Sequence, residues 1–186
     1  MRFYERRLPH WDVTGQPMFV TFRLAGSLPA NRVFPPERMS SGKTFVAMDR
    51  MLDRCTSGPL FLRQPEIAQL VVDALRDGDS RFHRYQLQAF VVMPNHVHML
   101  ATPRVDARKW LGPLKGFTAY RANQILRRHA AFWQDESYDH LVRDEAELRR
   151  IQRYIEHNPV KAGLAALPEE FRWSSAAPGG SPAAGL

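Results

Sequence analysis

Apolar and polar positions alternate along Pro17-Met18-Phe19-Val20-Thr21-Phe22-Arg23-Leu24. The stretch is rich in aromatic and β-branched side chains and predicts a strand. Gly26 to Pro36 follows as a loop. A helix over about 43–55 places Phe45, Met48, Met51 and Leu52 on one side. Pro65-Glu66 opens a clearer helix over about 65–77, with Ile67, Leu70, Val71 and Ala74 at helical spacing, and Asp77-Gly78-Asp79-Ser80 ends it. Tyr85 to Met93 is the strongest strand pattern. Met93-Pro94-Asn95 reads as a turn and His96 to Thr102 as a second strand, so the two form an antiparallel hairpin. Residues 106–129 are helical in pattern, with Trp110, Leu114 and Phe117 on one stripe, and Pro113 predicts a break within them. Tyr138 to Arg143 reads as an edge strand. Asp144, with Glu147 three residues later, starts the cleanest helix; Leu148, Ile151 and Ile155 form its buried stripe, and Asn158-Pro159 ends it. After Trp173, small residues from Ser174 to Gly180 predict a frayed end. The order β-α-β-β-α-β with an added terminal helix is that of a split βαβ, an α+β fold. The expected organisation is one domain over 1–176, with a variable, insertion-like region at 27–65, and a flexible tail at 177–186.

Composition narrows the function. A chain of 186 residues suits one good domain or two small ones. No stretch nears eighteen apolar residues and the N-terminus lacks a signal-peptide core, so the expectation is a cytoplasmic protein with no membrane partner. The single cysteine, Cys55, excludes an internal disulfide and a cysteine-based zinc site. A net charge of +7 and a pI near 10.1 favour polyanionic partners, nucleic acid first. Arginine supplies 22 of the 26 cations; its planar fork suits phosphate, and a genome favouring arginine codons gives the same excess. Position is more telling. Arg104, Arg108, Lys109, Lys115, Arg121, Arg127 and Arg128 stand against Asp106 alone within 25 residues, whereas a solvated helix face usually mixes signs.

The chemistry-bearing candidates lie on either side of this basic segment. His96 and His98 are two apart on a predicted strand, so both imidazoles project from one face, close enough to bind one metal ion or to pack together on the sheet. Tyr154 and Asn158 are four apart on the last helix and share a face. Alone, the first reads as a core-rim tyrosine and the second as a helix C-cap. Together the two imidazoles and a carboxamide oxygen make three neutral ligands for a divalent cation, leaving positions for water and a phosphate oxygen. A tyrosine beside such an ion is a usable nucleophile toward a phosphodiester. Lys115, Arg121, Arg127 and Arg128 are the candidates for phosphate contacts. Trp133 is the candidate for stacking on an unpaired base, with a core role as the alternative.

These residues carry a resemblance. Val91-Val92-Met93-Pro94-Asn95-His96-Val97-His98-Met99-Leu100 resembles the HUH motif (His-hydrophobic-His) of single-tyrosine transposases. Tyr154-Ile155-Glu156-His157-Asn158-Pro159-Val160-Lys161-Ala162-Gly163-Leu164 resembles the second signature of the REP-associated tyrosine transposases. Phe19-Val20-Thr21-Phe22-Arg23, Phe132-Trp133-Gln134 with Asp139-His140 and Arg143, and Phe171-Arg172-Trp173-Ser174-Ser175 fit the same family in the same order, from about residue 8 to 176. The resemblance implies a ferredoxin-like antiparallel sheet with helices on one face, of HUH endonuclease type. It implies His96, His98 and Asn158 as metal ligands and Tyr154 as nucleophile. It implies cleavage of single-stranded DNA beside a palindromic hairpin, through a covalent 5′-phosphotyrosine. Magnesium or manganese is the expected ion, single-stranded or hairpin DNA the partner, and a monomer or weak homodimer the assembly. Tyr120, amid the basic segment, is the competing nucleophile. Two other readings stay open: an inactive hairpin DNA- or RNA-binding module, and a metal-dependent phosphodiesterase using water.

Overall fold

The computed structural model describes residues 2–5, 9–28, 49–54 and 58–179. Strands β1 (Arg2–Glu5) and β2 (Pro9–Asp12) pair with each other as a separate antiparallel ribbon. The main sheet holds β3 (Met18–Arg23), β4 (Tyr85–Val92), β5 (His96–Pro103) and β6 (Tyr138–Leu141), in the spatial order β4-β5-β3-β6 with every pair antiparallel. Helix α1 (Pro65–Ser80) connects β3 to β4, α2 (Ala107–Ile125) connects β5 to β6, and α3 (Glu145–Lys161) follows the last strand. This is the ferredoxin-like α+β arrangement expected of the element order. Of the expected helix at 43–55, residues 49–53 are helical and 43–48 lie outside the described residues.

The alternation of side chains along β5 explains the layers. Val97, Met99 and Ala101 face one core, which Ile67, Val71 and Leu75 of α1 and Trp110 and Leu114 of α2 complete. Leu100 faces the other core with Phe19, Ala89 and Val91, against Ile155, Leu148 and Ile151 of α3. Helices on one face is therefore true of α1 and α2 only. Residues 89–101 are buried without a break, so the strands are apolar on both sides and the second side needs cover too. Each fully buried Val, Leu or Phe adds about 1.5–3 kcal/mol of burial, so α3 is held by its stripe rather than by its polar remainder. A β-bulge sets the phase of β4. Its register steps from Leu87↔Ala101 to Ala89↔Leu100, which leaves Gln88 as the extra residue. Tyr85, Leu87, Phe90 and Val92 thereby all meet α1 and α2, while Ala89 and Val91 meet α3.

Helix ends depart from the predicted ones for identifiable reasons. The first runs on to Ser80, because Gly78 lets Tyr85 pass close enough to donate its hydroxyl to Leu75 O at 2.8 Å. A Cβ at Gly78 would stand 2.0 Å from that hydroxyl oxygen. Gly78→Ala is expected to destabilise the fold by about 1–3 kcal/mol in urea titration, and an unchanged midpoint would contradict this packing. The second helix does not break at Pro113: both Pro113 and Lys109, whose carbonyl loses its intrahelical donor, are exposed to water. The third continues past Pro159 and ends in a Schellman motif, with Gly163 at φ +71, Leu164 N–H on Pro159 O at 2.8 Å and Gly163 N–H on Val160 O at 3.0 Å. The end predicted as frayed is held as far as Ala177. Val92 N–H bonds to Trp173 O at 2.8 Å and Ser175 N–H to Phe90 O at 2.9 Å, which covers the open edge of β4.

The start of α3 is as expected, and more than a cap. Asp144 accepts from Glu147 N–H at 2.7 Å. The buried Glu147 carboxylate accepts from Arg143 Nε and Nη2 at 3.0 and 2.8 Å, from Arg150 at 3.2 Å, and lies 3.2 Å from His140 Nε2. Hydrogen bonding to Arg143, against burial and with His140 helping, draws its carboxyl down from 4.5 to about 2. A folded pKa below the unfolded one means the contribution is full above about pH 4.5 and is lost as pH falls toward 2. Because its arginines are solvent-screened, Glu147→Gln is expected to lower stability on the order of 1 kcal/mol at pH 7, with the difference gone near pH 2. A deficit independent of pH in parallel thermal melts would contradict this account.

Candidate metal and nucleophile site

The turn before β5 and the register across the sheet build the site. His96 and His98 project from the same face of β5 and are fully buried. Asn95 donates its amide to Leu52 O at 3.1 Å, which turns its Oδ1 toward His96 Nδ1 at 2.7 Å. His96 Nδ1 is then the protonated nitrogen and Nε2 carries the lone pair. Thr21, the cross-strand partner of His98, places Oγ1 2.7 Å from His98 Nδ1. With both Nδ1 atoms engaged, the two Nε2 atoms lie 3.1 Å apart.

A third group joins them from the helical segment at 49–53. Asp49 Oδ1 is 3.0 Å from His98 Nε2 and 3.8 Å from His96 Nε2. Its Oδ2 accepts the hydroxyl of Tyr154 and lies 3.8 Å from Lys161 Nζ, which also approaches Asp53 Oδ2 at 3.2 Å. Burial pushes the Asp49 carboxyl up, but attraction and hydrogen bonding from His98, with His96 and Lys161, outweigh it and hold it below its ordinary value. Burial, then the neighbouring His98, keeps His96 well below the ordinary imidazole range, hence neutral and able to donate a lone pair. Burial and the charge of Asp49 push Asp53 up.

On α3, Tyr154 is half-buried, its ring centroid 5.7 Å from that of His98 and 6.2 Å from that of Phe19, with Lys161 Nζ 5.3 Å from the ring centre. One turn on, Asn158 is fully buried and neither its Oδ1 nor its Nδ2 has a partner among the described residues. An unsatisfied buried amide costs about 1–3 kcal/mol, so it marks a place where a further partner belongs.

The donor set fits a hard or borderline divalent cation. Ligand atoms of Asp49, His96 and His98 all fall within 4.8 Å of one another. Adjacent ligands of an octahedral ion with bonds of about 2.1 Å stand about 3 Å apart, which is the spacing of the two Nε2 atoms and of Asp49 Oδ1 from His98. Asp49 lies outside every motif block of the sequence, within the insertion-like region 27–65. The signal available was the Asp49/Asp53 pair, four apart on the same predicted helix as Leu52.

The remaining candidates separate into two groups. Arg121 and Arg127 are exposed, as phosphate contacts require. Lys115 instead donates Nζ to Gln134 O and Asp135 O at 2.7 and 2.8 Å, and burial, opposed by Asp135 and aided by Arg23, lowers it to about 8. Arg128 donates to Ala131 O at 3.1 Å and lies 4.7 Å over the Phe61 ring. Of its two readings the structure places Trp133 closer to the core one: it is 6% exposed, packs edge-to-face with Phe22 and donates Nε1 to Thr118 Oγ1 at 2.9 Å. Tyr120 sits on α2, across the sheet from the histidines, and is 64% exposed; the structure does not bring it to the pair.

The sequence model of the family "Transposase IS200 like" matches residues 67–158. An uncharacterised protein of Haemophilus influenzae is 25% identical over 148 residues, covering 65% of this chain and 82% of that protein. A second protein from the same organism, provisionally named a REP-associated tyrosine transposase, is 26% identical over 103 residues, covering 49% of this chain and 58% of that one. The fold matches a solved structure of a REP-associated tyrosine transposase bound to a REP hairpin, with TM-score 0.51, 18% identity, and coverage of 94% of this chain and 82% of that one. Among the described residues no helix is long and apolar enough to cross a membrane.

Proposed function

We propose that the chain belongs to the IS200-like transposase family, among the REP-associated tyrosine transposases, and that it cuts and rejoins single-stranded DNA beside palindromic hairpins with Tyr154 as nucleophile. One observation carries this reading: the Tyr154 hydroxyl, the Asp49 carboxylate and two imidazole Nε2 atoms meet in one buried cluster. Asp49, His96 and His98 would hold a magnesium or manganese ion, with the unpartnered Asn158 amide as the further ligand. Such an ion supplies Lewis acidity toward the scissile phosphodiester. Tyr154 Oη attacks phosphorus in line, its bond to phosphorus forms and the P–O3′ bond breaks. Asp49 Oδ2 already accepts the phenolic hydrogen bond and takes the proton as the bond forms; the leaving 3′-oxygen takes a proton from solvent, to which Asp49 returns the phenolic one. One phosphodiester replaces another, so the step runs without ATP and reverses onto the same or a different 3′-hydroxyl. Neutral His96 and ionised Asp49 both suit ligation, and the unprotonated Oδ2 of Asp49 is free to accept the phenolic hydrogen bond.

The test is incubation of the protein with end-labelled single-stranded hairpin oligonucleotides from the DNA flanking its own coding region, with manganese or with EDTA. A metal-dependent adduct that survives SDS supports the reading. Cleavage with no adduct would replace it with a hydrolase using water, and binding alone with a DNA-binding module.

A further inference from the structure

We propose a second, non-catalytic site that takes unpaired DNA bases, formed by Phe117 and Tyr120 of α2 with Arg81 and Arg84 beyond the end of α1. The inference rests on the transposase reading, since it assigns that protein a further contact with single-stranded DNA. Phe117 and Tyr120, three apart on one helix face, are 54% and 64% exposed and belong to neither core cluster. Phe117 and Phe82 line a cavity of about 280 Å³ with Leu114 and Trp110. That is just under the size of sites for drug-like ligands, about 300–1,000 Å³, and suits a smaller flat group. The indole N–H of Trp110 has no acceptor among the described residues.

The rim adds charge. Arg81, Arg84 and the half-buried Asp77 also line the cavity, two cations against one acid, and the two guanidinium carbons lie 5.3 and 4.8 Å from the Phe82 ring centroid. Neither guanidinium has an acidic partner among the described residues, so the aromatic ring holds two arginines that still have their donors available. The aromatic walls and the excess of cations over Asp77 favour an occupant that is apolar inside the cavity and anionic at its rim. A nucleotide of single-stranded DNA meets both demands, and bases stacked within a duplex cannot enter. The basic excess of residues 104–128, most of it on α2, favours the same partner. Helices α1 and α2 lie on the side of the sheet that Val97 and Met99 face, so the sheet separates this site from the histidine pair. The strand it holds is flanking DNA rather than the scissile segment. It also gives Tyr120 a stacking role in place of the nucleophilic one.

The experiment is fluorescence anisotropy with a fluorescein-labelled thymidine single strand of about twenty nucleotides, at several salt concentrations. Phe117→Ala and Tyr120→Ala are each expected to weaken binding about ten-fold, and Phe117→Trp to retain it. Arg81→Ala with Arg84→Ala is expected to flatten the salt slope by about 0.7 for each phosphate the arginines no longer neutralise. Circular dichroism melts check that each variant is folded. Wild-type affinity and salt slope in all variants would overturn the site. So would a change of sedimentation coefficient in Phe117→Ala without loss of DNA affinity, which would make the surface a contact between copies of this chain. Failure of the wild-type protein to bind or to form an adduct would remove the transposase reading as well, whereas an adduct-forming wild type with indifferent variants removes this site alone.

Discussion

Tyr154→Phe is expected to abolish the covalent adduct, lowering strand cleavage on the order of 10⁴-fold or more while hairpin binding stays nearly unchanged. The substitution removes one oxygen and keeps the ring that packs edge-on against Phe19, with centroids 6.2 Å apart. The hydroxyl does no packing; its partner is Asp49. A loss confined to chemistry is thus the expected signature, with the melting temperature shifted little. EDTA is expected to silence the wild-type protein equally, since the imidazoles and carboxylate then have no ion to present to the phosphate. Residual adduct in Tyr154→Phe would move the nucleophile to another residue. Tyr120 is a poor substitute, because α2 and the histidines lie on opposite faces of the sheet.

Asp49→Ala is the second large effect and the more discriminating one. It removes the only carboxylate within reach of both Nε2 atoms among the described residues, together with the group that receives the phenolic proton. Loss of a ligand of this kind is expected to weaken manganese binding by at least about 10- to 100-fold. The readout is the increment in melting temperature on adding the metal. An ion at 100 times its dissociation constant stabilises the fold by about 2.7 kcal/mol, and most of that increment is expected to vanish in the variant. Asp49→Asn is expected to fall between, since it keeps an oxygen but loses the charge that faces Lys161 at 3.8 Å. If Asp49→Ala gains the full increment, the ion is held by His96, His98 and other groups, and Asp49 serves only to orient Tyr154.

The boundary between what was readable in the sequence and what was not has physical causes. Strands β4 and β5 were readable because apolar runs bounded by a Pro-Asn turn leave few alternatives. The pairs His96/His98 and Tyr154/Asn158 were readable because two- and four-residue spacings fix a shared face locally. Asp49 was not, because its partners lie on β5 and α3, and no local period links a helix near residue 50 to residues so distant in sequence. The core role of Trp133 depended on Thr118 supplying an acceptor and Phe22 a ring face, both contributed by other elements. Lys115 was counted with the phosphate-binding cations because charge is visible in a sequence and the two carbonyls that satisfy it are not. The prolines misled in one direction. Pro113 suggested a break and Pro159 an end, yet both helices continue through them, and the carbonyl that Pro113 leaves without a donor belongs to the exposed Lys109.

The most direct measurement is mass spectrometry of the adduct after nuclease trimming and tryptic digestion. The account predicts a nucleotide phosphate on the peptide spanning 154–161, attached to Tyr154, in samples containing manganese and in none containing EDTA. The same mass on the peptide spanning 116–121, which carries Tyr120, or cleaved DNA with every tyrosine unmodified, would contradict it.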